Sequence, residues 1–192
     1  MSSVGRIPID AERTARFENL YHACVARVYA YARRRSPADI AEDVVADTFA
    51  VAWRRLESVP DPALPWLLAT ARRVLANRTR SDLRRARLLG RLQENALTQP
   101  AADRGPGSGR GAEVIVALDR LPPREREAVI LVAWDGLGGA EAAAVAGCTR
   151  TAFAVRLHRA RRRLRKFLEA SAHESDDGAV PSPQPVREVP RT

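Results

Sequence analysis

Lysine is almost absent from this 192-residue chain: Lys166 stands alone, and arginine carries nearly all of the positive charge. Cysteine is scarce as well. Cys24 and Cys148 have no Cys or His at ligand spacing, which argues against a zinc site or a disulfide framework and makes both buried small hydrophobes. The three histidines, His22, His158 and His173, are scattered, and no glycine-rich phosphate loop follows a strand pattern. A nucleic-acid enzyme is therefore the weaker reading, and neither catalytic residues nor a cofactor or metal are expected. No apolar run approaches a membrane span, and the start MSSVGRIPIDAER has no signal-like hydrophobic segment. The expected location is cytoplasmic.

What the chain has in excess is positive charge, +9 formally, on a sequence whose 45% hydrophobic content is enough to build cores. Such a balance favours an anionic partner. The most informative stretch is Gly136 to Leu168, GLGGAEAAAVAGCTRTAFAVRLHRARRRLRKFL. A short helix around Ala140 to Ala146 is stopped by Gly147, the residue type that tolerates the left-handed closing conformation. Thr149 stands where an N-cap belongs, so a second helix starts at Arg150. Phe153, Leu157, Ala160, Leu164 and Phe167 recur at spacings of three and four and form its inward face. The outer face carries Arg150, Thr151, Ala154, Val155, His158, Arg159, Arg161, Arg162 and Arg165, with no carboxylate between Arg150 and Lys166. A solvated helix mixes its charges at i,i+4 spacing, whereas this one calls for an external polyanion. With a helix-turn in front of it, duplex DNA is the fitting one, read by Arg150, Thr151, Ala154, Val155 and His158.

Upstream, Phe17, Leu20, Tyr21, Cys24, Val25, Val28 and Tyr29 mark a first amphipathic helix ending in Arg33 to Arg35. Ser36 is placed as the N-cap of a second, whose buried side is Ile40, Val44, Val45, Thr48, Phe49, Ala52, Trp53 and Leu56. Its exposed side carries Glu42, Asp43 and Asp47. These acids either favour the helix dipole or form a docking face for a basic partner. Ser58 to Pro65 reads as a loop, since three prolines restrict it. A further basic helix follows, with Trp66, Leu67, Thr70, Ala71, Val74 and Leu75 inward and Arg72, Arg73, Asn77, Arg78, Arg80, Arg84 and Arg85 outward.

From about Gln93 the pattern loses its periodicity and gains Gly, Pro and Ser. The expected organisation is all-α: a helical domain over 10–92, a flexible linker over 93–112, a second helical domain over 113–170 containing the helix-turn-helix, and a disordered tail over 171–192.

Three segments together resemble the extracytoplasmic-function group of bacterial sigma factors. They are Ala41 to Phe49 running on through Trp53-Arg54, Pro65 to Arg73, and Leu118 to Pro122 followed by Gly136-Leu137 and Val155 to Arg161. The resemblance implies an alternative sigma factor that binds core RNA polymerase through the beta-prime clamp helices and beta flap and directs initiation at promoter DNA. It implies polymerase contacts at Glu42, Asp43 and Asp47. For minus-10 DNA it implies Ser58, Val59 and Asp61 on the base-capturing loop, with Arg72, Arg73, Asn77, Arg80 and Arg84 on the following helix. For minus-35 DNA it implies Arg150, Thr151, Ala154, Val155, Arg156, His158, Arg159 and Arg162. An anti-sigma protein is a possible further partner. Ala46 departs from the glutamine common at its position, and Ala154 and Val155 replace a basic residue and a serine, which favours apolar readout of thymine methyls. The alternative is a conventional helix-turn-helix regulator; its sensor domain would need a ligand pocket or phosphoacceptor, in place of an acidic and a basic helix.

Overall fold

The computed structural model describes residues 11–88 and 110–176, and the first ten residues, most of the expected linker and the last part of the tail lie outside them. The described residues form seven α-helices and one 3-10 turn, with no strand among them. In chain order these are α1 Ala11–Arg33, α2 Ala38–Arg54, the turn Leu56–Ser58, α3 Leu64–Leu88, α4 Arg110–Asp119, α5 Pro123–Ala133, α6 Gly139–Ala146 and α7 Arg150–Asp176. Helices α1 to α3 pack on one another as the first half, and α4 to α7 as the second.

The apolar spacing of the sequence becomes the core. On α2, Val44, Val45, Thr48, Phe49 and Ala52 are buried, joined by Ala41, while Ile40 and Trp53 are half-buried. From α1 come Cys24, Val28, Tyr31 and Ala32. Helix α3 has three packing partners, α1, α2 and α6. A stripe for one partner does not suffice there, and Leu68 is buried beside the expected Leu67, Thr70 and Ala71. Leu118, Leu121 and Ala160 close a smaller cluster between α4 and α7, with Leu164 and Phe167 against it.

Three local expectations change. Ser36 does not cap α2: its hydroxyl donates to the Ala32 carbonyl at 2.9 Å and so closes the end of α1, while Pro37 takes the cap position. A serine four residues after a carbonyl at a helix end has two competing uses, and the preceding turn wins. Leu64 and Pro65 belong to α3 instead of to the loop, because a first-turn proline gives up an N–H that has no intrahelical partner anyway. Finally, α4 begins at Arg110, inside the expected linker, and α7 runs on to Asp176, so the first residues of the expected tail are helical.

The two halves are not separate bodies. One hydrophobic cluster runs from Val28, Val44, Leu67, Leu68 and Ala71 to Leu131, Ala142, Ala143, Ala146 and Phe153. Burying a side chain of the size of Leu68 or Phe153 contributes about 1.5–3 kcal/mol, whereas an exposed ion pair contributes about 0–1. Apolar burial therefore dominates, and the charges select which faces meet.

Candidate nucleic-acid and polymerase interfaces

The recognition helix is set by its entry. Gly147 closes α6 with φ of 65°, in the left-handed region, and its N–H is bonded to the Ala144 carbonyl. Thr149 Oγ1 accepts from the Ala152 N–H at 3.2 Å, the N-cap expected of it. At the other end of α6, Glu141 reaches back to accept from the Gly138 N–H at 2.8 Å. Both helices of the motif are thus fixed at the turn. With Phe153 and Ala160 buried, Arg150, Thr151, Ala154, Val155, His158, Arg159 and Arg162 all lie on the exposed side, and Arg156 is half-buried. Arg150, Arg159, Arg161 and Arg162 find no carboxylate among the described residues. Arg163 differs, its Nε lying 3.5 Å from Glu125 Oε2.

On α3 the basic residues are less uniform than their spacing implies. Arg73, Asn77, Arg80 and Arg84 are exposed, as are Ser58 and Asp61 on the preceding loop, with Val59 half-buried. Arg80 is folded along its own helix, donating to Asn77 Oδ1 at 2.7 Å and to the Ala76 carbonyl at 3.1 Å. Arg84 donates to Ser81 Oγ at 3.3 Å. Arg72 does not point outward: it is half-buried and donates through Nε and Nη2 to the two carboxylate oxygens of Glu127 on α5, at 2.7 and 3.3 Å. This fork holds the Arg72 guanidinium above its ordinary pKa. Helical periodicity marks which side of α3 a residue occupies, and it carries no information on which distant helix covers that side.

The acidic group on α2 is exposed at Glu42, Asp43 and Asp47, yet the two aspartates are bridged. Arg78 of α3 donates to Asp43 Oδ2 at 2.7 Å and to Asp47 Oδ2 at 2.6 Å. Those bonds also raise its pKa. Arg78 is a residue the sequence reading left out of every site. The i,i+4 spacing of the aspartates was visible; the cation from the next helix was not. Between α1 and α2, Tyr21, Val25, Ala26, Tyr29, Glu42, Val45 and Ala46 line an open groove of about 430 Å³.

A second polar cluster was also invisible in the sequence. Asp135, only 5% exposed, receives the guanidinium of Arg34, stands 3.8 Å from Arg35, and offers its backbone carbonyl to Arg27. Burial pushes its carboxyl above the ordinary range while Arg34, Arg35 and Arg27 pull it down, and burial likewise lowers Arg34. Gly136, with φ of 66°, turns the chain there so that the Leu137 N–H reaches the Leu131 carbonyl. No group of three His, Cys, Asp or Glu that could hold a metal ion stands together among the described residues, and no helix there is long and apolar enough to cross a membrane.

Comparison with known proteins falls on the same two halves. Residues 20–86 match the family model for sigma-70 region 2, and residues 112–164 match that for sigma-70 region 4. Among solved structures, the sigma factor RpoE of Bartonella quintana, in complex with the anti-sigma factor NepR, is 29% identical with a TM-score of 0.59. That match covers 80% of this chain and 96% of RpoE. CnrH, in complex with the cytosolic domain of CnrY, is 28% identical with a TM-score of 0.55, covering 84% of this chain and 99% of CnrH. No curated protein sequence matches.

Proposed function

Since this chain belongs to the sigma-70 family, as an extracytoplasmic-function type carrying regions 2 and 4, we propose a division of labour among its helices in promoter-specific initiation. The chain is an alternative sigma factor, a transcription initiation factor whose partners are core RNA polymerase and promoter DNA. It works by binding energy.

In this reading α7 lies in the major groove of the minus-35 element. Arg150 and His158 reach base edges, Ala154 and Val155 meet thymine methyls, Thr151 lies against the groove wall, and Arg156, Arg159 and Arg162 hold phosphates. Asp43, Asp47 and Glu42 face a basic surface of the polymerase beta-prime clamp helices, and the second half meets the beta flap. Ser58, Val59 and Asp61 take up an unstacked base of the minus-10 element while Arg73, Asn77, Arg80 and Arg84 hold the strand beside it, Arg72 being engaged by Glu127. Taking a base out of the stack costs a few kcal/mol, which a pocket and phosphate contacts offset. The observation that carries the reading is the α7 face: seven of its eight assigned residues are exposed, on a helix whose entry is fixed by Gly147 and Thr149.

An anti-sigma protein is the further partner in this reading, by likeness to RpoE and CnrH, each seen in a complex of that kind. The test of the whole is transcription in vitro from genomic fragments with bacterial core polymerase, with and without the protein. Protein-dependent starts sharing two upstream motifs are expected. Sequence-specific duplex binding with no core binding would favour the conventional regulator.

A further inference from the structure

Tyr21 and Tyr29 of α1 are 37% and 36% exposed, two large rings at the surface of a helix whose Cys24 and Val28 are buried. With Val25 and Val45 beneath and Ala46 and Glu42 of α2 beside them, they bound the groove of about 430 Å³ between α1 and α2. That volume falls within the range of ligand clefts, about 300–1,000 Å³. Tyr21 packs edge-on against Phe49, with ring centroids 4.8 Å apart, so α2 runs back antiparallel along α1 and Glu42 stands at the Tyr29 end. Asp43 and Asp47 are taken by Arg78, whereas Glu42 has no ion-pair partner among the described residues. Ala46 keeps the wall low, and a longer side chain there would stand in the groove.

Two tyrosines over an apolar floor, with an acid at one end, suit an extended proline-rich peptide. Proline rings stack on tyrosine rings, and the carbonyls of a polyproline backbone are free to accept from tyrosine hydroxyls. The acid selects a basic residue at the flank. The chain carries such a segment itself. Beyond Asp176, where α7 ends, and outside the described residues, the sequence Val180-Pro181-Ser182-Pro183-Gln184-Pro185-Val186-Arg187 has a proline at every second position. Each proline fixes its own φ and restricts the residue before it, so such a run gives up little conformational entropy on docking.

The dimensions agree. Tyr21 and Tyr29 are about 12 Å apart along α1 at ~1.5 Å per residue, and Pro181 to Pro185 covers about 12 Å at ~3.1 Å per residue. With Pro181 on Tyr21 and Pro185 on Tyr29, Arg187 falls at Glu42. Residues 177–192 can extend about 50 Å, more than the length of the 27-residue α7, which is about 40 Å. Attachment to the same molecule gives the segment an effective concentration in the millimolar range, so a weak site suffices.

We infer that the groove between α1 and α2 is a docking site for the chain's own segment Val180 to Arg187, stacked on Tyr21 and Tyr29 and paired through Arg187 with Glu42. The docking rests on this local chemistry and is independent of the sigma-factor reading. Within that reading, the seated segment covers Glu42 and competes with polymerase for the acidic face of α2.

The test uses the isotope-labelled full chain with a nitroxide at Ala179→Cys, in a Cys24→Ala, Cys148→Ser background. Paramagnetic broadening is expected at the amides of Tyr21 to Tyr29 and of Glu42 to Ala46, and its strength should not depend on protein concentration. Arg187→Glu should lower the seated-to-free ratio about fivefold, the size of an exposed ion pair, and adding Glu42→Arg should restore it. Ala46→Gln, which fills the groove, should remove the broadening whichever charges are present, with helical circular dichroism unchanged throughout. No broadening at the groove in the free parent chain, or broadening that neither Arg187→Glu nor Ala46→Gln diminishes, would overturn the docking. Equal broadening with nitroxide and isotope on separate molecules would assign the groove to a second copy and overturn it too. Groove amides silent in the free chain and responding only to added core polymerase would give the site to polymerase instead. Docking that responds as expected, in a chain that never binds core polymerase, would support the site and overturn the sigma-factor reading.

Discussion

Arg78 of α3 stands 2.6 Å from Asp47 of α2, and the same guanidinium reaches Asp43 at 2.7 Å. The carboxylates assigned to polymerase docking are therefore already neutralised in part by the chain itself. All three side chains are substantially exposed, so the fork adds at most about 1 kcal/mol to stability. Its effect on association is larger, because a basic partner meets less negative charge while Arg78 stays in place. Arg78→Ala is expected to leave the melting temperature nearly unchanged and to tighten binding to core polymerase, with a steeper salt dependence. Asp43→Ala with Asp47→Ala should weaken that binding and leave DNA contacts of the second half intact. Fluorescence anisotropy of the labelled full chain titrated with core at two salt concentrations measures both. Equal affinity across all three proteins would remove the acidic patch from the docking surface.

Arg159 and Arg163 lie one turn apart on α7, but only Arg163 has a carboxylate nearby, Glu125 at 3.5 Å. A phosphate contact through Arg159 releases counterions on binding, so Arg159→Ala should weaken promoter binding by the holoenzyme and lower the log-log salt slope by about 0.9. Arg163→Ala should leave that slope close to the wild-type value, since its charge is turned toward α5. Filter binding across a salt series separates the two, and parallel lines for wild type and Arg159→Ala would rule out the phosphate contact.

Gly147 occupies the left-handed region at a φ of 65°, and a Cβ there meets nothing closer than 3.8 Å. Steric clash with neighbours is therefore excluded as a cost, and what remains is the backbone conformation itself, about 1–2 kcal/mol for an L-residue. Gly147→Ala should lower the thermal midpoint by several degrees and weaken minus-35 binding, because the turn aims the N-terminus of α7. Gly147→Asn, which tolerates the left-handed region better, should recover much of both. Differential scanning calorimetry of the three proteins decides it; a midpoint ordering with alanine above asparagine would contradict the conformational account.

How much of this was legible depends on the range of the interaction concerned. The helix-turn-helix was readable at Gly147, Thr149 and Phe153 because caps and apolar spacing act within a few residues. Ser36 shows where that fails even locally: two helix ends lie within bonding reach of one hydroxyl, and the residue identity does not choose between them. For Arg72, Arg78 and Asp135 no local pattern holds the answer. Their partners are Glu127, Asp43 and Asp47, and Arg27 of α1 with Arg34 and Arg35 just after it, all set by how helices pack rather than by spacing along one helix. A face classed as outward is outward only relative to its own bundle, and here a second bundle covers part of it.

Tyr31 provides the pH-dependent prediction. Its side chain is fully buried, its hydroxyl has no hydrogen-bond partner, and Arg35 sits 3.6 Å above the ring centroid. Burial raises the phenol from 10.0 to about 12, outweighing the attraction of Arg35 for the phenolate. Below pH 10 the hydroxyl is protonated in both folded and unfolded chains, and the full stability is present. Between pH 10 and about 12 the unfolded chain releases a proton that the folded chain retains, so stability falls as pH rises, by up to about 2–3 kcal/mol in all. Tyr31→Phe removes this slope. At neutral pH it should be neutral or slightly stabilising, because it deletes an unsatisfied buried hydroxyl and keeps the ring under Arg35. Urea unfolding of both proteins from pH 8 to pH 11.5 makes the comparison: the two stabilities should diverge above pH 10, with the phenylalanine variant ahead, and parallel curves would mean that the Tyr31 hydroxyl reaches water in the folded chain.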